Sequence, residues 1–148
     1  MAQATTFSFA KMKILLSDGA TPTETFTAFC GMNSRSLKET KSFSEIDIPD
    51  CADEDAIAAV GREVKSTDWS ISGEGVLADE AIGAIEDFWN DSTSRNLQII
   101  LYDAGGVPRV TKSGRGHLST KDWSANRGEK VTMTVEIVAD GALTTVVA

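Results

Sequence analysis

Hydrophobic and polar positions alternate most cleanly over Ser66–Leu77. Trp69, Ile71, Gly73, Gly75 and Leu77 fall on one side, and Asp68, Ser70, Ser72 and Glu74 on the other. A period of two marks a half-buried strand. At Ala78 the period changes. Ile82, Ile85, Phe88 and Trp89 recur at three- and four-residue steps, an apolar stripe on a helix of about three turns. Asp79 and Glu80 put carboxylates in its first turn, where the macrodipole favours them. Asn90-Asp91-Ser92 ends it with turn formers. Asn96–Asp103 then returns with Leu97, Ile99, Ile100, Leu101 and Tyr102, apolar on both faces. Such a strand needs a cover on each side, and the helix stripe is the simplest one. The expected helix–sheet core is therefore Trp69, Ile71, Ile82, Ile85, Phe88, Trp89, Leu97, Ile99 and Leu101.

The rest of the chain adds strands to this unit. Phe7–Ser17 reads as a strand with Ala10, Met12, Ile14 and Leu16 inward. The turn formers Asp18-Gly19-Ala20-Thr21-Pro22 separate it from a second strand, Glu24–Gly31, with Phe26, Ala28 and Cys30 inward, so the two predict a hairpin. Arg35–Ile48 is unusual, because both of its faces are mostly polar and no Gly or Pro interrupts it. As a strand it would span about 45 Å. It would then project, line something wet or pair with another subunit; otherwise it is a loop. Pro49 and Asp50 stop it. The acidic run Asp53–Asp55 followed by Ala56–Val60 predicts a short helix closed by Gly61. After the tight turn Ala104–Pro108 comes a strand, Arg109–Thr120, whose interior Gly114 and Gly116 mark a bulge or a close backbone approach. Glu129–Val138 alternates with Val131, Met133, Val135 and Ile137 inward, and Leu143–Val147 makes a last short strand. The fold class is mainly β: an antiparallel β-sandwich or partial barrel with one flanking α-helix.

Length and charge narrow the function. The chain has 148 residues, which predicts one domain, and folding at this size buries roughly 70% of the unfolded surface. No apolar run reaches the ~20 residues of a membrane span. The N-terminus lacks the basic and apolar regions of a secretory signal, so synthesis in a cytoplasm is expected. A net charge of −8 opposes a role as a nucleic-acid reader or as a ligand of anionic membranes. Cys30 and Cys51 are expected as small buried hydrophobes. Asp47, Asp50, Asp53 and Asp55 lack the glycine and terminal Glu of a calcium loop. His117 is the sole histidine. No nucleophile elbow, HExxH, CxxC or phosphate loop is present. No cofactor, metal or catalytic residue is expected, and surfaces are left to do the work.

Three stretches, in this order, resemble a known family. They are TFTAFCGMNSRSLKETKSFSEIDIPDCADEDA (Thr25–Ala56), DWSISGEGVLADEAI (Asp68–Ile82) and GEKVTMTVEIVADGAL (Gly128–Leu143). The family is the major tail tube proteins of long-tailed bacteriophages, including those of gene transfer agents and prophages. The resemblance implies hexameric rings stacked into a tube around a tape measure protein, with terminator and distal tail proteins at the ends. DNA would pass through without specific binding, in a virion tail assembled in the host bacterial cytoplasm. It also implies an extended arm reaching a neighbouring subunit. Residues 35–64 stand where it is expected, and Leu37, Lys38, Glu39, Thr40, Lys41, Ser42, Phe43, Ser44 and Glu45 are the candidate contacts. The acidity then predicts a net-negative bore, with Lys11, Lys13, Arg115 and Lys121 on outer or inter-subunit surfaces. The competing function is a small β-sandwich module that binds carbohydrate, for which Trp123, in a polar loop, is the best aromatic platform.

Overall fold

The computed structural model describes residues 2–19 and 23–148. After a 3-10 turn at Phe9–Lys11 come β1 (Met12–Ser17), β2 (Phe26–Ala28), β3 (Met32–Ile48) and β4 (Ala59–Val76). Then follow α1 (Asp79–Asn90), β5 (Arg95–Tyr102), β6 (Pro108–Ser124), β7 (Thr132–Ala139) and β8 (Thr144–Val147). The strands make one eight-stranded sheet in the order β2-β1-β5-β6-β7-β4-β3, with β8 paired to β6. All pairings are antiparallel, and the sheet is not closed.

β6 joins the two halves. Residues 108–116 pair β5 along one edge; along the other edge 110–113 pair β8 and 116–124 pair β7. Ile14, Leu16, Leu97 and Ile99 come from one half and Ile71, Leu118, Val135 and Ile137 from the other, and they meet in one core with Ala81, Ile85 and Phe88 of α1. Backbone approach is tight where the halves meet. A Cβ on Gly116 would lie 2.7 Å from the Val138 carbonyl oxygen, and one on Gly114 would lie 2.9 Å from Leu143 Cδ2. The Trp69 indole donates to the Gly141 carbonyl at 3.0 Å, which ties β4 to the chain before β8.

Several sequence expectations need correction. β1 starts only at Met12, and Ala10 is exposed in the 3-10 turn. The second strand shrinks to Phe26–Ala28. Beyond it Phe29 turns onto the core while Cys30 is exposed. Cys51, in the loop after β3, is exposed too, so neither cysteine is a buried hydrophobe. Part of the turn before β2, Ala20–Pro22, lies outside the described residues. The short helix at Ala56–Val60 does not form. Ala59 and Val60 instead begin β4, opposite Ile48 and Asp47, because a five-residue run cannot recover the cost of nucleating a helix when a strand partner is at hand. Val131 is 40% exposed, just before β7 begins. On α1 the buried side is Ala81, Ile85 and Phe88. Ile82 and Leu101 are half-buried, and Trp89 is exposed. Trp69, Ile71, Ile85, Phe88, Leu97 and Ile99 are buried.

Candidate functional site

The register defines a polar face. Residues directly opposite in an antiparallel ladder point the same way. One row across β3, β4, β7 and β6 is therefore Ser36, Ser72, Glu136 and Thr120; the next is Ser34, Glu74, Thr134 and Asp122. All eight are exposed. A third row, Lys38, Ser70, Val138 and His117, adds a single lysine, and His117 Nε2 sits 3.8 Å from an Asp140 carboxylate oxygen. The rows on the opposite face are Leu37, Ile71, Ile137 and Leu118, and Arg35, Gly73, Val135 and Lys121. Carboxylates and hydroxyls thus collect on one side of the sheet. Two of its basic residues, Arg35 and Lys121, start from the other.

Several other bases are held by partners of their own. The Lys121 ammonium pairs with Glu86 of α1 and lies 5.4 Å from the Trp89 ring and 4.8 Å from the Trp123 ring. This cation shared by two indoles explains how Trp89 is held outside the core. It also occupies the rings that a sugar platform would need, while Trp69 is buried. Arg115 donates to Ser94 and Asn96, Lys112 pairs with Glu39 at 3.2 Å, and Lys13 stands 5.8 Å from the Tyr102 ring. Arg95 bonds Asp91 at 2.9 Å. Together with the Thr93 N–H, which is the larger cause, it lowers the Asp91 pKa to about 2.

The second feature is an arm. β3 and β4 stay paired from Met32–Gly75 out to Ile48–Ala59, but β7 leaves β4 at Ser70. Beyond that point the two strands run alone, and residues 40–48 extend ~30 Å. Every residue from Lys38 to Ile57 is exposed. Of the expected arm residues, Thr40, Lys41, Ser42, Phe43, Ser44 and Glu45 lie in this ribbon. Leu37 packs at the core, Lys38 joins the polar face, and Glu39 is held by Lys112. The apolar content of the ribbon is greater than alternation in β3 alone suggests, because β4 supplies half of it. Phe43 opposes Val64 on one face, while Ile46 and Ile48 lie beside Gly61 and Ala59 on the other. Ile57 at the tip is 99% exposed. The tip also holds Asp47, Asp50, Asp53, Glu54 and Asp55, and no base lies between Lys41 and Arg62. Solvent gives such side chains no reason to be apolar; a partner surface does.

Both edges of the polar-faced sheet are open. Among the described residues, β3 has a partner only on its β4 side, and residues 117–124 of β6 have one only on their β7 side. Among the described residues no three His, Cys, Asp or Glu side chains gather as metal ligands would, and no helix is long and apolar enough to cross a membrane.

A family model described as phage tail tube protein matches residues 6–145. No curated protein sequence matches the chain. Among solved structures, the chain is similar to one from the tail of an empty gene transfer agent particle, refined with C6 symmetry. That match has 16% identity over 94% of this chain and 98% of that one, with a TM-score of 0.73. It is also similar to the SPP1 tail tube, at 12% identity over 97% and 80% and a TM-score of 0.67. A sheath–tube complex of an extracellular contractile injection system matches at 11% identity over 97% and 93%, with a TM-score of 0.64.

Proposed function

The chain belongs to the phage tail tube protein family, and from that premise we propose that six copies close into a ring and that rings stack into the tube of a virion tail. The observation that carries this reading is the pair of open edges on the polar-faced sheet. Long unpaired edges invite aggregation, and closure removes them. β6, β7, β4 and β3 alternate in direction, so β3 runs opposite to β6. Copies related by rotation about a ring axis keep each strand's direction. The edge of β3 in one copy therefore meets residues 117–124 of the next antiparallel, and the contact repeats head to tail until the ring closes. The six-fold order rests on the C6 symmetry of the related gene transfer agent tail.

In this arrangement the face bearing Glu74, Asp122 and Glu136 lines the bore, and α1 lies outside. Exposed lysine or arginine would pair with phosphates and add affinity by releasing counterions. A wall of hydroxyls and carboxylates adds none, so DNA slides. A tape measure protein fills the bore before ejection, and terminator and distal tail proteins bind the ends. The arm reaches past its own subunit to a neighbour. Assembly takes place in the host cytoplasm. Negative-stain microscopy of the concentrated pure protein tests the reading. Six-fold rings or tubes are expected; a strict monomer at every concentration and salt overturns it.

A further inference from the structure

The ring reading does not account for one half-buried cation. Arg35 stands opposite Gly73 on β3, so its side chain leaves toward the core side of the sheet. It passes the gap where the ends of the unclosed sheet approach, lined by Ile14, Phe29, Met32 and Ile71. Its guanidinium carbon ends 4.1 Å from the Phe9 ring centroid, and Nη2 donates to the Phe9 carbonyl at 3.1 Å. Nε–H is buried with no hydrogen-bond partner, and among the described residues Arg35 has no ion pair. Burial alone pulls its pKa below the usual value. A buried Nε–H without an acceptor is unfavourable, and methionine would fill the same space without that cost.

What Arg35 does hold is the N-terminal segment. Around residues 8–12 the backbone hydrogen bonds are local, Lys11 to Ser8 and Met12 to Phe9, and no ladder ties residues 2–11 to the sheet. Yet this segment presents Phe7 and Phe9, 47% and 51% exposed, and Phe9 meets Arg35 of the strand whose outer edge is open. We propose that residues 2–11 form a strap, pinned by Arg35, whose Phe7 and Phe9 pack on the adjacent copy within the ring. The proposal rests on the ring reading and names a further contact in it. The occupant is a second copy because Arg35, which pins the strap, belongs to β3, the strand that the next subunit pairs in that reading. Two aromatic rings held in place by a planar cation are a preorganised contact.

The test uses the full chain. Phe7→Ser with Phe9→Ser is expected to melt as the wild-type monomer does and to raise the critical concentration for tubes about tenfold or more, as loss of aromatic anchors does. Arg35→Met keeps the stem and releases the head, so a protease is expected to cut the strap faster. Arg35→Lys, which keeps the charge but not the planar fork, is expected to behave like Arg35→Met. Assembly of the double serine variant at the wild-type concentration overturns the strap, as does an Arg35→Met strap as protected as the wild type's. If wild-type protein itself forms no rings, the ring reading falls and the strap with it.

Discussion

Phe88 and Trp89 are neighbours on α1, and one helical step of rotation separates burial from exposure. Phe88 is 2% exposed and Trp89 is 44% exposed. Phe88→Ala should cost about 3–5 kcal/mol in urea melts of the unassembled protein, as truncating a buried aromatic does. Trp89→Ala should cost far less, about 1 kcal/mol, since it loses only stem packing and the cation contact with Lys121. Equal losses for the two would contradict this orientation of the helix. Asp91, at the end of α1, gives a pH signature. Its carboxylate accepts from Thr93 and Arg95, and its pKa falls from 3.8 to about 2. A depressed folded-state value means the contribution is complete above the unfolded value and is lost as pH falls toward the folded one. The stability gap between wild type and Asp91→Asn should therefore be full at neutral pH and shrink between pH 3.8 and about 2. A gap unchanged at pH 2 would assign it to another cause.

The ribbon is the element that contributes least to its own subunit. Past Ser70, β4 keeps only β3 as a neighbour, and an isolated two-stranded ribbon is marginal in water. Replacing residues 43–65 by Asn-Gly, which suits a two-residue hairpin, joins Ser42 to Ser66, already a directly opposed pair. This variant should fold, with a melting temperature near that of wild type, and form no long tubes in negative-stain images. Unfolding would place the ribbon in the core energetics. The two-sided character of residues 35–48 was legible in the sequence, and so was a projecting strand. The return path was not. Ala56–Val60 has good local helix formers behind an acidic turn, and only the long β3 ladder makes its last two residues a strand.

For the whole molecule, the decisive property is the side on which charge lies. Net charge belongs to the composition, but in the proposed ring one face borders the bore, and salt screens the charge of the others beyond about 8–10 Å. Assembled wild-type tubes should not retain duplex DNA on co-sedimentation at physiological salt. Tubes of the Glu74→Lys, Asp122→Lys, Glu136→Lys variant should retain it, with affinity falling steeply as salt rises. Retention equal to wild type would place that face away from the bore.

The sequence by itself determined the alternation of β4 and β7, the helix between β4 and β5, the hairpin of β1 and β2 and the absence of a catalytic signature. These are local properties: periodicity and turn chemistry act over a few residues. The order of its motifs also pointed to the family. Tertiary structure decided what depends on partners distant in sequence. It decided that β6 bonds three strands, that Glu136 shares a row with Ser36, and that Lys121, in a row on the opposite face, meets two indoles. It also left Arg35 under Phe9 with no carboxylate. Side-chain period assigns residues to two faces of a strand, but only pairing register decides which faces join and which edges stay open.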